Sequence, residues 1–388
     1  MSRRLVITFG NLYPSALRPQ HGTFVQERMQ RVLAGQDDLE LVVVNPVPVV
    51  PRPLAFGDYR KLRATPATET VAGVAVHHPR YLHLPGISVA RQAARIAKAA
   101  LPVVRELARG RAAVLDAHYV YPDGVAAAWI ARELHLPCIV TARGTDVNVL
   151  AQQPRVAAQL RTALPAVQAW LAVSEALAGR LAAVLGPGAK VQVARNGVDL
   201  HRFGRGDQAA ARARLGLPAV GRLVLGVGRL VPSKGFALAV DALATLPDDV
   251  GLVLVGDGPE RARLARRAPP GRLHLLGARG RDDVAVAYRA CDVFTLPSQR
   301  EGWPNVVTEA LASGLPVVAT TVGGLPEIVS EPLAGELVGP DDPEALAAAL
   351  ARRLALPADR DAVAAFARRY SWDDPIELLR RLLRAATV

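Results

Sequence analysis

The second half of the chain alternates short apolar runs with segments of helical spacing, at intervals that leave room for little besides tight turns. Residues 222–227, 251–255, 273–276, 293–296 and 317–319 read as strands. Runs that are apolar throughout suit strands covered on both faces, and a helix between two such strands returns the chain to start the next one in the same direction. The expectation is an α/β fold with a parallel sheet. A looser version of the pattern precedes it, with strands at 5–9, 40–44, 74–77, 114–118, 138–141, 169–173 and 191–194. A chain of 388 residues exceeds what one ordinary core serves. Two units are therefore predicted, and Asn196-Gly197, between the two patterns, is a turn signal.

Ligands of doubly wound sheets bind beyond the carboxyl ends of the strands, so the loops after these runs are where chemistry is sought. After 293–296 comes Glu301-Gly-Trp-Pro-Asn-Val-Val-Thr-Glu309, with a helix running on to about residue 312. Glu301 falls on the loop and Glu309 about one turn inside the helix, while Gly302 and Pro304 shape the approach. The backbone N–H groups of Asn305 and Val306, at the helix start, lack intrahelical partners and attract anions. Backbone donors for a phosphate beside carboxylates for hydroxyls suit a nucleotide sugar; the plainer alternative is an exposed loop acid and a solvated helix acid. After 222–227, the segment Gly226-Val-Gly228-Arg229-Leu-Val-Pro-Ser-Lys234-Gly235 puts two cations on one loop. Metal-free cleavage of a sugar–phosphate bond needs positive charge on the departing diphosphate, which Arg229 and Lys234 can supply.

Together these residues resemble the signature of the family 4 retaining glycosyltransferases, in which Arg and Lys follow the first strand of the C-terminal domain and a Glu, seven residues and a second Glu come later. The resemblance implies a GT-B fold, two Rossmann-like parallel-sheet domains facing across a cleft with the donor held mainly by the C-terminal one. It implies an acceptor-side domain over residues 1–199, a nucleotide-sugar-binding domain over 200–371, and a last segment, 372–388, crossing back onto the first domain. Arg229, Lys234 and Glu301 become catalytic residues and Glu309 a ribose contact. Gly228 and Gly302 lie beside the donor and Gly277 near the nucleotide base. Gly22 sits in a first loop that reaches over the diphosphate, although a helix-entry glycine explains it as well.

The strand 114–118 ends in Asp116-Ala-His118-Tyr-Val-Tyr-Pro-Asp123, which makes His118 and Asp123 candidates for sugar or acceptor contacts, or structural groups. The strand 138–141 continues into Ala142-Arg143-Gly144-Thr145-Asp146, where the family commonly shows His-Gly followed by an acid, here Asp146, a further candidate for an acceptor or sugar contact. Arg143 in place of that His cannot serve as a base, but it can bind sugar or phosphate oxygens. The Arg variant and the opening Tyr-Pro…His-Gly-Thr-Phe-Val are similar to bacterial surface-polysaccharide and teichuronic-acid-type transferases.

The formal net charge of +12 is uneven: 23 Lys/Arg stand against 13 Asp/Glu up to residue 200, and 24 against 22 beyond it. An Arg-rich composition without a partner accounts for this, as does attraction to anionic lipid headgroups or a phosphorylated acceptor. A helix expected over 89–108 carries Arg91, Arg95, Lys98 and Arg105 on or near one face. Scattered Arg residues without an aromatic–basic cluster or zinc spacing speak against nucleic acid. Cys138 and Cys291, each at the edge of an apolar run, offer no disulfide framework and fit a reducing cytoplasm. No run has the length of a signal core or a spanning helix, so a cytoplasmic protein is expected, at most peripheral at the inner face of the plasma membrane. No cofactor and no metal are expected, and the chain is read as lacking an Asp-x-Asp motif.

The activity these features imply is transfer of a sugar from a nucleoside diphosphate sugar to a saccharide or lipid-linked acceptor, in cell-envelope, exopolysaccharide or glycolipid synthesis. A sugar-nucleotide epimerase on the same fold, which would form product without an acceptor, and a non-catalytic nucleotide-sugar-binding protein are the rival readings. A P-loop enzyme would want Gly-x4-Gly-Lys-[Ser/Thr], whereas Gly235 follows Lys234.

Overall fold

The computed structural model describes residues 3–51, 57–84, 89–356 and 358–386. The proline-rich stretches 46–53 and 79–85 of the sequence end outside these residues, at Pro53 and Pro85. The chain divides into a first unit, Met1–Arg195 with Asp373–Val388, and a second, Asn196–Trp372.

The first unit is built on strands β1 (Arg4–Phe9), β2 (Leu39–Val44), β3 (Val47–Val49), β4 (Thr68–Val71), β5 (Val74–His77), β6 (Arg80–Leu82), β7 (Ala113–His118), β8 (Cys138–Ala142), β9 (Ala169–Ala172) and β10 (Val191–Val193). Eight of them form one sheet in the order β10-β9-β8-β7-β1-β2-β5-β4, and β3 pairs with β6 alongside. Pairing is parallel except between β4 and β5. Val6, Ile7, Phe9, Val114, Leu115 and Ala117 on the two central strands are fully buried, the state their unbroken apolar runs anticipate. The three strands absent from the sequence expectation are three or four residues long, and β3 has Pro48 inside it. The helix expected over 89–108 starts as a 3-10 turn, Val89–Arg91, and continues as Gln92–Ala108.

The chain's last helix, Asp373–Ala385, belongs to this first unit and buries Ile376, Leu379 and Leu383. Helix C-termini leave four carbonyls without intrahelical donors, and here two arginines answer that need. Arg380 donates to the carbonyls of Arg31 (2.9 Å), Val32 (3.0 Å) and Ala34 (2.8 Å) at the end of helix Thr23–Leu33. Arg4 donates to the carbonyls of Leu383 (2.8 Å) and Arg384 (3.1 Å) at the end of the last helix.

The second unit carries strands β11 (Arg222–Val227), β12 (Val250–Val255), β13 (Leu273–Gly277), β14 (Val293–Leu296), β15 (Val317–Thr320) and β16 (Gly335–Val338), all parallel, in the order β13-β12-β11-β14-β15-β16. Only β16, a Gly-Glu-Leu-Val run half-exposed at its centre, was missing from the sequence expectation. Among the parallel strands of each large sheet the order reverses at β11/β14 in the second unit and at β1/β7 in the first. Loops leaving the carboxyl ends of such a pair diverge to opposite sides, which opens the crevice where α/β proteins bind ligands.

Candidate functional site

The reversal point of the second unit brings two of the sequence candidates into contact. Strands β11 and β14 lie side by side, with Val224 opposite Val293 and Leu225 opposite Phe294, so the loops that follow them begin together. Gln299 N–H donates to the Ser233 carbonyl at 3.0 Å, and Lys234 Nζ donates to Glu301 Oε1 at 2.6 Å. The ion pair is only partly shielded, Lys234 being 26% exposed and Glu301 10%.

Backbone packing holds these loops where side chains would not fit. Gly235 adopts φ +68°, and a Cβ there would lie 1.8 Å from the Pro297 carbonyl oxygen; at Gly323, φ +57°, it would lie 2.0 Å from the Glu301 carbonyl. Gly324 N–H also donates to the Gly302 carbonyl at 3.1 Å. At Gly228 a Cβ would be in ordinary contact with the Phe236 ring at 3.6 Å and Lys234 Cε at 3.8 Å. Arg229 is exposed on the same loop.

The helix Asn305–Ala312 begins as the sequence predicts, its N-cap Pro304 supplying no side-chain cap to the first N–H groups, those of Asn305 and Val306. Asn305 Oδ1 accepts from Asn196 Nδ2 at 3.2 Å. Glu309 is fixed by its own unit: Oε2 accepts from the Tyr288 hydroxyl at 3.1 Å and Oε1 lies 3.7 Å from the Arg281 guanidinium. Tyr288 is fully buried, and burial together with Glu309 holds its phenol well above the usual range. Gly277 ends β13 at φ +74°, where a Cβ would lie 3.9 Å from Arg261 Nη1.

The reversal point of the first unit is polar in a different way. Thr8 pairs with Asp116 and His118 with Thr141 across β1, β7 and β8, so all four side chains share one face of the sheet. Helix Thr23–Leu33 presents Arg28 among its buried positions, which also include Val25, Met29 and Val32. Arg28, Asp116, His118, Asp123 and Asp146 are all at 0 or 1% exposure. Arg143 is half-buried, its guanidinium 5.2 Å from the centre of the Phe24 ring, and its Nη2 donates to His118 Nδ1 at 2.6 Å. His118 Nε2 is 3.2 Å from Asp116 Oδ2, an electrostatic contact too bent to count as a full hydrogen bond.

Because the arginine can only donate, His118 Nδ1 must be bare and the ring proton sits on Nε2, toward Asp116. Burial, opposed by Asp116 and reinforced by Arg143 and Arg28, lowers His118 to about 4. Burial would raise Asp116, but His118, Arg28 and Arg143 together hold its carboxyl below the ordinary value. Arg28 is lowered by burial to about 10, Asp116 opposing, and its three side-chain nitrogens have no hydrogen-bond partner among the described residues.

Asp146 is consumed by the backbone, accepting from the N–H groups of Val120 (2.7 Å), Gly144 (2.7 Å) and Arg143 (3.2 Å). Asp123 is buried beneath Gly10, and burial raises its carboxyl to about 8 against the pull of the Asn11 backbone. Gly22, φ +71°, precedes helix Thr23–Leu33, and a Cβ there would lie 2.3 Å from the Leu12 carbonyl carbon.

Comparison with known proteins decides the family. Residues 37–202 match the family described as Glycosyltransferase Family 4, and residues 221–355 the one described as Glycosyl transferases group 1. Over 354 residues the chain is 32% identical to the "Putative teichuronic acid biosynthesis glycosyltransferase TuaC" of Bacillus subtilis (strain 168), covering 89% of this chain and 88% of that protein. The chain belongs to the family 4 glycosyltransferases. Among solved structures, sucrose-phosphate synthase from Thermosynechococcus elongatus matches with a TM-score of 0.79 at 20% identity, over 98% of both chains. Anabaena HepE in complex with UDP-glucose matches with a TM-score of 0.70 at 20% identity, over 98% of this chain and 99% of that one. These likenesses establish the GT-B fold.

Two features of this family 4 transferase escaped the sequence reading. Arg28 and Asp116 are as buried as any candidate, yet a charged residue is by default placed at the surface. One signal was available: Arg28 falls in register with Val25, Met29 and Val32, the i, i+3, i+4, i+7 stripe of a buried helix face. An Asp-x-Asp spacing does occur, Asp359-Arg360-Asp361, contrary to the expectation that there is none. It is spent on structure: Asp359 caps helix Arg360–Phe366 by accepting from Ala362 N–H at 2.9 Å, and Asp361 pairs with Arg205 at 2.6 Å. Among the described residues no group of three or more His, Cys, Asp and Glu is placed to hold a metal ion, and no helix is long and apolar enough to cross a membrane. Along 89–108, Arg95 donates to the Leu82 carbonyl at 3.3 Å and Arg105 lies 3.6 Å from Glu133, and Arg91, Lys98 and Arg105 are exposed.

Proposed function

We propose that this glycosyltransferase moves a sugar from a nucleoside diphosphate sugar to an acceptor hydroxyl with the anomeric configuration retained, in the synthesis of a surface or exported polysaccharide. The observation that carries the reading is the Lys234–Glu301 pair at the β11/β14 reversal point, with Arg229 on the same loop and an uncapped helix start at Asn305. Without donor, the two charges satisfy each other. A bound diphosphate competes for Lys234, and the released carboxylate then faces the sugar. As the bond from the anomeric carbon to the phosphate breaks, its electron pair goes to the diphosphate, and Lys234, Arg229 and the N–H groups of Asn305 and Val306 stabilise that charge. The acceptor oxygen bonds the anomeric carbon, its proton passes to the departing phosphate oxygen, and Glu301 stabilises the oxocarbenium-like sugar. Glu309, held by Tyr288 and Arg281, accepts from the ribose hydroxyls. In this reading the cations do the work that a metal does elsewhere, so no metal is required.

The complex of HepE with UDP-glucose and the name of the TuaC relative support a uridine donor and a polysaccharide product. Calorimetric titration with UDP-, GDP- and ADP-sugars, followed by acceptor trials with the preferred donor, tests the reading. Conversion of donor in the absence of any acceptor would instead make the protein an epimerase, and a diphosphate seated away from Lys234 would remove the mechanism. The excess of cations before residue 200 further supports work at an anionic membrane face. The full chain is expected to sediment with anionic vesicles at low salt and release at high salt, and indifference to salt would discard that part.

A further inference from the structure

Tyr119, the first residue past β7, breaks two patterns at once. From 113 to 128 every residue is buried but this one, which keeps part of its surface in solvent. Its backbone, at φ +88° and ψ +108°, lies outside the regions open to a bulky L-residue. Among the described residues Ala72, His135 and Asp341 are the other non-glycines at positive φ, and at +48°, +52° and +59° they stay near the φ of the left-handed well.

Elsewhere the chain meets the same need with glycine. The first residues past β1, β11 and β12 are Gly10, Gly228 and Gly256, at φ +145°, +156° and +141°, where a side chain would clash and glycine has none. A turn alone would take glycine at 119 as well. Instead the backbone is held from outside. Tyr119 N–H donates to the Thr141 carbonyl at 2.9 Å, its own carbonyl accepts from Gly124 N–H at 2.8 Å, and the next N–H, that of Val120, donates to buried Asp146 at 2.7 Å. Strain maintained by such ties collects where side chains meet ligands. β7 borders the β1/β7 reversal point, the ligand-binding position of such sheets.

The two ends of the side chain differ. The hydroxyl is engaged by Thr145, and burial, then Asp146, raise the phenol above its ordinary value against the pull of Thr145. With the polar tip engaged, the flat apolar ring is the part that can meet a substrate. A pyranose offers the matching surface, a face of C–H groups. The transfer reading assigns the diphosphate to the second unit's reversal point and leaves the recipient sugar without a contact.

We propose that the ring of Tyr119 is a stacking platform for the pyranose of a saccharide acceptor. The proposal rests on the transfer reading and supplies its acceptor contact.

The test uses the full chain and, as probes, the methyl glycosides of glucose, galactose, N-acetylglucosamine and glucuronic acid. Binding is followed by saturation-transfer NMR in the presence of whichever of UDP, GDP or ADP binds. At least one probe is expected to bind wild type, with the protons of one ring face receiving most of the saturation. Tyr119→Phe should retain that affinity and Tyr119→Ala lose about tenfold, the scale of truncating a contact tyrosine. Tyr119→Leu, which keeps the bulk without the flat ring, should lose as much and serves where the Ala variant does not fold. Equal losses in the Phe and Ala variants, or no loss in the Ala and Leu variants, overturn the proposal. No probe binding while a nucleotide does overturns it and leaves the transfer reading standing; no nucleotide binding overturns both.

The strain has its own readout. Glycine removes the Cβ clash that alanine keeps, so Tyr119→Gly should unfold at a higher denaturant concentration than Tyr119→Ala, the reverse of the usual order. The usual order would show that position 119 is relaxed and would remove the ground for the proposal.

Discussion

The two units place charge at the same topological position and at opposite depths. In the second, Lys234 and Glu301 meet at the rim of the sheet, partly exposed, on loops fixed by backbone contacts at Gly235 and Gly323. In the first, Arg28, Asp116 and His118 are closed off from solvent and act on one another electrostatically. The depth decides what each set can do. A rim pair can exchange its partner for a ligand, since little desolvation energy is committed to it. A buried set cannot, because separating its members leaves a charge stranded at low dielectric; what it can do is hold one outer member in a set direction.

The contrast is tested most severely by removing one member of each set. Asp116→Ala strands Arg28 and is expected to cost about 3–5 kcal/mol in chemical denaturation, whereas Glu301→Gln should cost under about 1 kcal/mol. Similar costs for the two would show that the buried set is not the rigid one. On activity the order inverts: Lys234→Ala is expected to lower transfer by about two orders of magnitude, the scale of losing one transition-state charge contact, with the denaturation midpoint little changed. Full turnover in that variant would strip the second unit's rim of its assigned role.

The third prediction concerns pH. Folded Asp123, raised to about 8, keeps a proton that an unfolded Asp releases near 4. The folded state therefore binds more protons between those values, and the stability this group contributes is present below about 4 and is lost as pH rises toward about 8. His118 acts in the other direction. Its folded value of about 4 lies below the free value near 6.5, so its contribution is present above about 6.5 and lost as pH falls through 4. Asp123→Asn should flatten the decline between pH 7 and 8.5 seen by denaturation of the wild type; an unchanged slope would mean that Asp123 is ionised in the fold. The smallest effect is expected in the second unit, where Tyr288→Phe removes the hydroxyl that shares its one proton between Val306 O at 2.9 Å and Glu309 Oε2 at 3.1 Å. About 1 kcal/mol is the usual worth of such a bond, and a loss of several would mean that Tyr288 carries more of the site than its contacts suggest.

The same difference in depth explains what could be read from sequence. Loops of the second unit announce themselves, because glycines at forced backbone conformations, two cations and two glutamates fall within short segments after strong apolar runs. The strands β11 to β15 were legible for the same reason. In contrast, β4 is Thr-Glu-Thr-Val, β3 holds a proline, and β16 follows directly on Ala334 with a glycine, so none of them shows an apolar run. His118, Arg143 and Asp146 stood out by their place after strands, but nothing local reveals that Asp146 is spent on backbone N–H groups or that Arg143 leans on His118. Arg28 is separated from Asp116 by 88 positions, and only the parallel pairing of β1 with β7 places its helix over that strand's carboxylate.

The return of the final helix to the first unit makes the second unit an insertion in the order of synthesis. Residues 1–195 leave the ribosome long before Ile376, Leu379 and Leu383, so their apolar surface and the carbonyls awaiting Arg380 stay uncovered while all of 196–372 is made. The domain begun first is thus completed last, and a truncation that removes only the closing helix damages the beginning of the chain rather than its end.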